Sequence, residues 1–313
     1  MRRESPDPLF MLHGSNAPIS AVHFWNPGEG SKWKLLSGTA QGKIHIWDVE
    51  SRRSDVILST AHGKGILWLE GLDSNSFLSQ CRDGELSKWT LEAAGWQSKC
   101  IGRTGVGFCG SSRSGSLLAK PAADDRSFEL IDLTSGNVAQ TFRAGDDAGM
   151  PMCVALRRRD MTDAPVLFAG YESGEVRAWD ATGRGEVGTS LRPHRDPALA
   201  MDVDATLRGV SGSVDEALQG WRHHEGRLVD GGSTTMTSAG VGAVTIRDDR
   251  AIVAVARWDS HISVFDWKKF KPLAVLACHQ EAVQCLDFRT ASVEPHLLVA
   301  GSKDTLLSVW QLY

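Results

Sequence analysis

A motif that returns seven times constrains this chain more than any other feature. Each copy is a strand, a turn and a second strand that ends near a tryptophan or an apolar residue. The copies are GTAQGKIHIWD, QCRDGELSKWT, AADDRSFELID, GYESGEVRAWD, GSVDEALQGWR, ARWDSHISVFD and GSKDTLLSVWQ, and their penultimate residues are Trp47, Trp89, Ile131, Trp179, Trp221, Phe265 and Trp310. Successive copies are 42, 42, 48, 42, 44 and 45 residues apart. That period suits a four-stranded unit repeated around a ring.

Two further columns keep the same phase. Six residues before the aligned positions stand Gln41, Asp83, Asp125, Ser173, Asp215, Asp259 and Asp304. Aspartate suits a tight turn because its carboxylate accepts hydrogen bonds from the amides of the turn. Nine residues before stand Gly38, Gln80, Ala122, Gly170, Gly212, Ala256 and Gly301, mostly small residues fit for a crowded strand end. Between turn and aligned position, stretches such as Lys43-Ile44-His45-Ile46-Trp47 alternate with the period of two that marks a strand. The fold expected is all-β, a seven-bladed propeller occupying residues 8–313 after a short tail of residues 1–7. The last copy stops three residues after Trp310, so its blade needs an outer strand from elsewhere. Leu9-Phe10-Met11-Leu12-His13 resembles the segments before His62 and His279 and is expected to supply it. Such closure removes open sheet edges.

Composition narrows the function. Lys and Arg total 34 against 38 Asp and Glu, a formal charge of -4, which provides no general field for a polyanion and argues against direct nucleic-acid binding. The six cysteines contain no Cys-x-x-Cys pair, so neither a zinc site nor a disulfide framework is expected. No apolar stretch approaches the length of a membrane span, and the start of the chain has no apolar signal run. No cofactor, metal or membrane association is expected, and the chain is expected to be monomeric on its own.

Several motifs imitate catalytic signatures. His62, Ser79, Asp83 and Trp89 share their offsets with His194, Ser211, Asp215 and Trp221. A hydrolase would need two identical active sites without a nucleophile elbow. The set instead resembles the structural tetrad of WD40 blades, in which buried polar groups satisfy one another. Gly105, Gly107 and Gly110 spell the dinucleotide fingerprint, but the following SSRSGSLLAK reads as strand and turn where a helix is required. His194-Arg195-Asp196 lacks the other kinase motifs. His223 and His224, and the run Arg157 to Arg159, read as solvated surface.

The stretches Gly149-Met-Pro-Met-Cys153, Leu167-Phe-Ala-Gly-Tyr-Glu-Ser-Gly174, Pro272 to His279 with Ala282-Val-Gln-Cys285, and Ala300-Gly-Ser-Lys-Asp304 are more specific than the generic repeat. Through them the chain from Pro8 onward resembles the WD40 family of guanine nucleotide-binding protein beta-subunit-like proteins, a family that includes the ASTRA-associated WD40 protein. The resemblance implies a non-catalytic adaptor in multi-subunit protein complexes, linked to ASTRA chromatin assemblies and to co-chaperone-assisted maturation of phosphatidylinositol-3-kinase-related kinases. Nucleus and cytoplasm are the compartments expected. Unlike the heterotrimeric beta subunit, this sequence has only seven residues before its first expected strand, so no gamma-subunit coiled-coil partner is expected. A ubiquitin-ligase receptor marked by Trp-Asp-x-Arg fits less well, since Trp47-Asp48 and Trp179-Asp180 are not followed by that arginine. A reader of modified peptides or histone tails would need an aromatic cage, for which Trp258, Tyr171 and Glu172 are the available ingredients.

Residues just before the turn aspartates should rim the channel. Arg82, Tyr171, Glu172, Trp258 and Lys303 are the candidates there, joined by Met150 and Met152 on the loop entering the fourth blade. Trp258-Asp259 is a Trp-Asp pair out of phase with the others, so its tryptophan belongs to a turn, where it either offers binding energy to a partner or packs against a neighbouring blade.

Overall fold

The computed structural model describes residues 6–28, 31–60, 63–160, 162–181, 189–290 and 294–312. They form seven four-stranded antiparallel sheets arranged as the blades of a propeller. Blade 1 runs outward through Ile19–Trp25, Lys34–Thr39, Lys43–Asp48 and Arg53–Ser59. The innermost strands of blades 2 to 7 are Ile66–Asp73, Ser112–Ser114, Pro151–Arg157, Ala200–Val203, Val241–Ile246 and Val283–Phe288.

The seventh sheet is completed from the start of the chain. Phe10–Leu12 pairs antiparallel with Leu307–Gln311, placing Phe10 opposite Val309 and Leu12 opposite Leu307. Leu12 is buried with Ile19, Phe24 and Trp47 of blade 1, and the Arg52 guanidinium lies 4.7 Å from the centre of the Phe10 ring. The closing strand therefore bonds to blade 7 and packs against blade 1 together.

The aligned column forms the core between sheets. Trp47, Trp89, Trp221 and Trp310 are buried, and each donates its indole N–H to a serine hydroxyl, from Ser37, Ser79, Ser211 and Ser308. The small residues of the third column face the inner strand of the next blade. A methyl at Gly38 would come within 2.4 Å of Ile66, and one at Gly301 within 2.5 Å of Ile19. Neighbouring blades approach too closely there for a side chain.

Blade 3 departs from the expected register. Leu118 pairs with Ile131 and Pro121 with Phe128, which makes its turn one residue longer than in the other blades. As a result Asp124 receives the amides of Arg126 and Ser127, not the Asp125 that the column predicts. Asp125 takes the left-handed position instead, at φ 56.

At one end of the channel, side chains of the inner strands tie adjacent blades. The Asp287 carboxylate of blade 7 accepts the Phe24 N–H of blade 1 at 2.6 Å, and Asp202 of blade 5 accepts Ile246 N–H of blade 6 at 2.8 Å. Ser112 of blade 3 accepts Leu156 N–H of blade 4. Arg113 reaches back from blade 3 to Glu70 and the Gly71 carbonyl of blade 2, and Arg157 reaches from blade 4 to Asp202 and the Val203 carbonyl of blade 5. Arg157 is thus part of the channel wall and not of a solvated basic run.

Candidate functional site: the mouth of the channel

A backbone bond sets each rim position. The residue before the turn donates its N–H to the loop entering the same blade: Arg82 to Gly65, Glu172 to Met150, Trp258 to Gly240 and Lys303 to Ala282. The turn then closes on its own side chain, as Asp83 accepts Glu85 N–H, Asp259 accepts His261 N–H and Asp304 accepts Leu306 N–H. With backbone and turn both held, the side chains of Arg82, Trp258 and Lys303 stand exposed over the channel.

Arg82, Met152, Trp258 and Lys303 line one cavity of about 710 Å³ with Leu67, Phe108, Leu199, Val241, Glu281 and Val283. Trp258 is 50% exposed, with one side of its ring against Gly240. Met150 is exposed on the neighbouring loop, and Glu172 accepts its N–H.

Tyr171 does not belong to this rim. It is fully buried in the core shared by blades 3 and 4, where it meets Phe128 and Trp179 edge-on. Strand alternation explains the displacement, because neighbours such as Tyr171 and Glu172 face opposite ways. Burial also raises its phenol pKa above the ordinary value. An aromatic cage of Trp258, Tyr171 and Glu172 is therefore not formed.

The structure adds two residues at the mouth that lie outside the repeat columns. The loop carrying Gly105, Gly107 and Gly110 presents Val106 and Phe108, which are 69% and 61% exposed, beside Met150 and Met152. The Arg82 guanidinium lies 5.7 Å from the Phe108 ring centre, within cation–π reach. Two bulky apolar residues between glycines are the sequence signal of this exposed loop.

The tetrads are completed unevenly. In blade 2, Trp89 donates to Ser79, and His62 lies outside the described residues. In blade 5, Ser211 bonds both Trp221 and His194, but among the described residues the Asp215 carboxylate accepts only the Ala217 amide and His194 Nδ1 has no partner. Blade 7 carries all the links: His279 Nδ1 lies 2.9 Å from Asp304, its Nε2 lies 2.8 Å from Ser308, and Trp310 donates to Ser308 at 2.8 Å. Its serine lies two residues before the tryptophan instead of ten, with Ala300 in the usual place. Ser308 is fully buried and its hydroxyl is engaged by both rings, so this Asp-His-Ser set joins strands and is no nucleophilic centre.

Other chemistry is equally constrained. Burial pushes the thiols of Cys81 and Cys153 up to about 12, which keeps them protonated at neutral pH. Among the described residues, no group of three or more His, Cys, Asp or Glu is placed to hold a metal ion. His223 is partly buried against Phe168, whereas His224 is exposed.

Comparison with known proteins places this geometry in a lineage. Residues 270–311 match the family described as WD domain, G-beta repeat. Guanine nucleotide-binding protein subunit beta-like protein 1 of Mus musculus is 35% identical, over 98% of this chain and 97% of its own length. ASTRA-associated protein 1 of Schizosaccharomyces pombe is 37% identical over 98% of this chain and 99% of its own length. The protein of that name from Verticillium alfalfae is 24% identical over 99% and 94%.

Proposed function

The chain belongs to the WD40 family of guanine nucleotide-binding protein subunit beta-like proteins, and from that premise we propose that its ring is a non-catalytic scaffold docking protein partners across the channel mouth. The observation that carries this reading is the convergence of Arg82, Phe108, Met152, Trp258 and Lys303 on one cavity. Exposed Trp and Arg around an apolar floor are the composition of an interface hot spot. The name shared by the fungal relatives supports a place in ASTRA-type chromatin assemblies. By the family resemblance, the scaffold serves maturation of phosphatidylinositol-3-kinase-related kinases with their co-chaperones, in nucleus and cytoplasm.

The test is affinity purification of the tagged chain from cells with mass spectrometry, beside a variant carrying Arg82→Ala, Trp258→Ala and Lys303→Ala. Wild type should recover co-chaperones or ASTRA subunits, and the variant should lose them. Recovery of histones alone, or of a cullin adaptor, would replace this reading with a histone-tail reader or a ubiquitin-ligase receptor. Unchanged recovery by the triple variant would move the docking surface off the mouth.

A further inference from the structure

Charge and apolar surface are not mixed evenly around the mouth. Arg82 stands on blade 2 and Lys303 on blade 7, flanking blade 1, while Val106, Phe108, Met150 and Met152 cluster on blades 3 and 4. Among the described residues, neither cation has an ion-pair partner within 4 Å. Other arginines close to the blade turns are neutralised within the chain: Arg177 pairs with Glu175, Arg257 with Asp259 and Arg126 with Asp146. Glu281 is the carboxylate lining the same cavity, which leaves two cations to one acid there.

From this asymmetry we infer that the mouth takes an acidic peptide segment of a protein partner that also carries a bulky apolar residue. The inference rests on the docking role proposed above and specifies its ligand. The acidic side chains lie over blades 7, 1 and 2, where the charges of Arg82 and Lys303 outnumber that of Glu281. The apolar side chain lies over Val106, Phe108, Met150 and Met152, whose thioethers adapt to irregular shapes. Phe108 joins the two sectors, since its ring holds the Arg82 guanidinium near the apolar floor. Charge complementarity of this kind sets register and speeds encounter more than it adds to affinity.

A phage library of random 16-residue peptides, panned on the immobilised full-length chain, tests this without knowledge of the natural partner. The decoys are an Arg82→Glu, Lys303→Glu double variant and a Phe108→Ser variant, each first shown to melt like the wild type. Enriched peptides should carry two or more Asp or Glu beside a Leu, Met, Phe or Trp. They should bind each decoy at least tenfold more weakly and weaken as salt rises from 0.1 to 0.5 M. Enriched peptides that are neutral or basic, that lose binding on Phe108→Ser but not on charge reversal, would overturn the acidic assignment and leave the mouth as the docking site. Peptides insensitive to both decoys would overturn the docking site as well. A library giving no enrichment over the charge-reversed decoy overturns the acidic assignment.

Discussion

Asp287 and His23 show how the channel wall acts on single residues. They lie 3.4 Å apart with about a quarter of each side chain exposed. Burial, helped by the nearby Glu70 and Asp202 carboxylates, lifts Asp287 to about 8, and burial with the Arg113 charge lowers His23 to about 4. Both groups are therefore neutral at pH 7 in the folded protein. Between about pH 4 and 6.5 the unfolded chain holds more protons on His23 and fewer on Asp287, so their effects on stability oppose each other. From about 6.5 to 8 only Asp287 differs: the folded state holds a proton that the unfolded state has lost, so stability falls as pH rises. Thermal melts should show a lower midpoint at pH 8.5 than at 6.5, and Asp287→Asn should abolish that decline while still accepting the Phe24 amide. An equal decline in the variant would assign the effect to other groups. Ser308 offers a second test, because its hydroxyl serves two buried rings whereas Ser37 serves only Trp47 in a side-chain bond. Ser308→Ala should cost about 1–3 kcal/mol in urea unfolding, and more than Ser37→Ala. Equal losses would mean that His279 contributes nothing through this link.

Among the elements, the closing strand Phe10–Leu12 is the most consequential for its length. It supplies the outer edge of blade 7, and Leu12 fills the seam to blade 1. Leu12→Asp would bury an unpaired carboxylate there, and destabilisation above about 3 kcal/mol is expected. Deleting residues 8–13 should be more damaging still, because the outer edge of the Leu307–Gln311 strand is then unpaired. Calorimetry reads both, and a midpoint within a degree of wild type in either would show that the ring does not depend on this seam. The strand was legible in the sequence because the last repeat lacked an outer strand and an early segment matched the missing one. The turn of blade 3 was not legible, since a one-residue insertion leaves an aspartate in both candidate positions, Asp124 and Asp125. The complete tetrad was hidden for a related reason: cross-strand pairing sets Ser308 opposite Ala300, and spacing along the chain does not show which strand donates the hydroxyl.

For the whole molecule, repeat phase was enough to bring Arg82, Trp258 and Lys303 to one opening, and Met152, expected on the entry loop, lines it from the innermost strand Pro151–Arg157. Repeat phase could not place Tyr171, because the end of a strand buries one residue and exposes the next. It also could not weigh Phe108, whose position depends on a loop outside the repeat. Five of the seven seams between sheets are tied at the channel wall by Asp287, Asp202, Ser112, Arg113 and Arg157. The seam between blades 7 and 1 joins residues from opposite ends of the chain. During synthesis, Phe10–Leu12 leaves the ribosome long before Leu307–Gln311 exists, and at about 5–20 residues per second the wait is roughly 15–60 s. Throughout that interval the first strand has no partner and the nascent ring stays open, exposed to whatever binds unpaired strands in the cell.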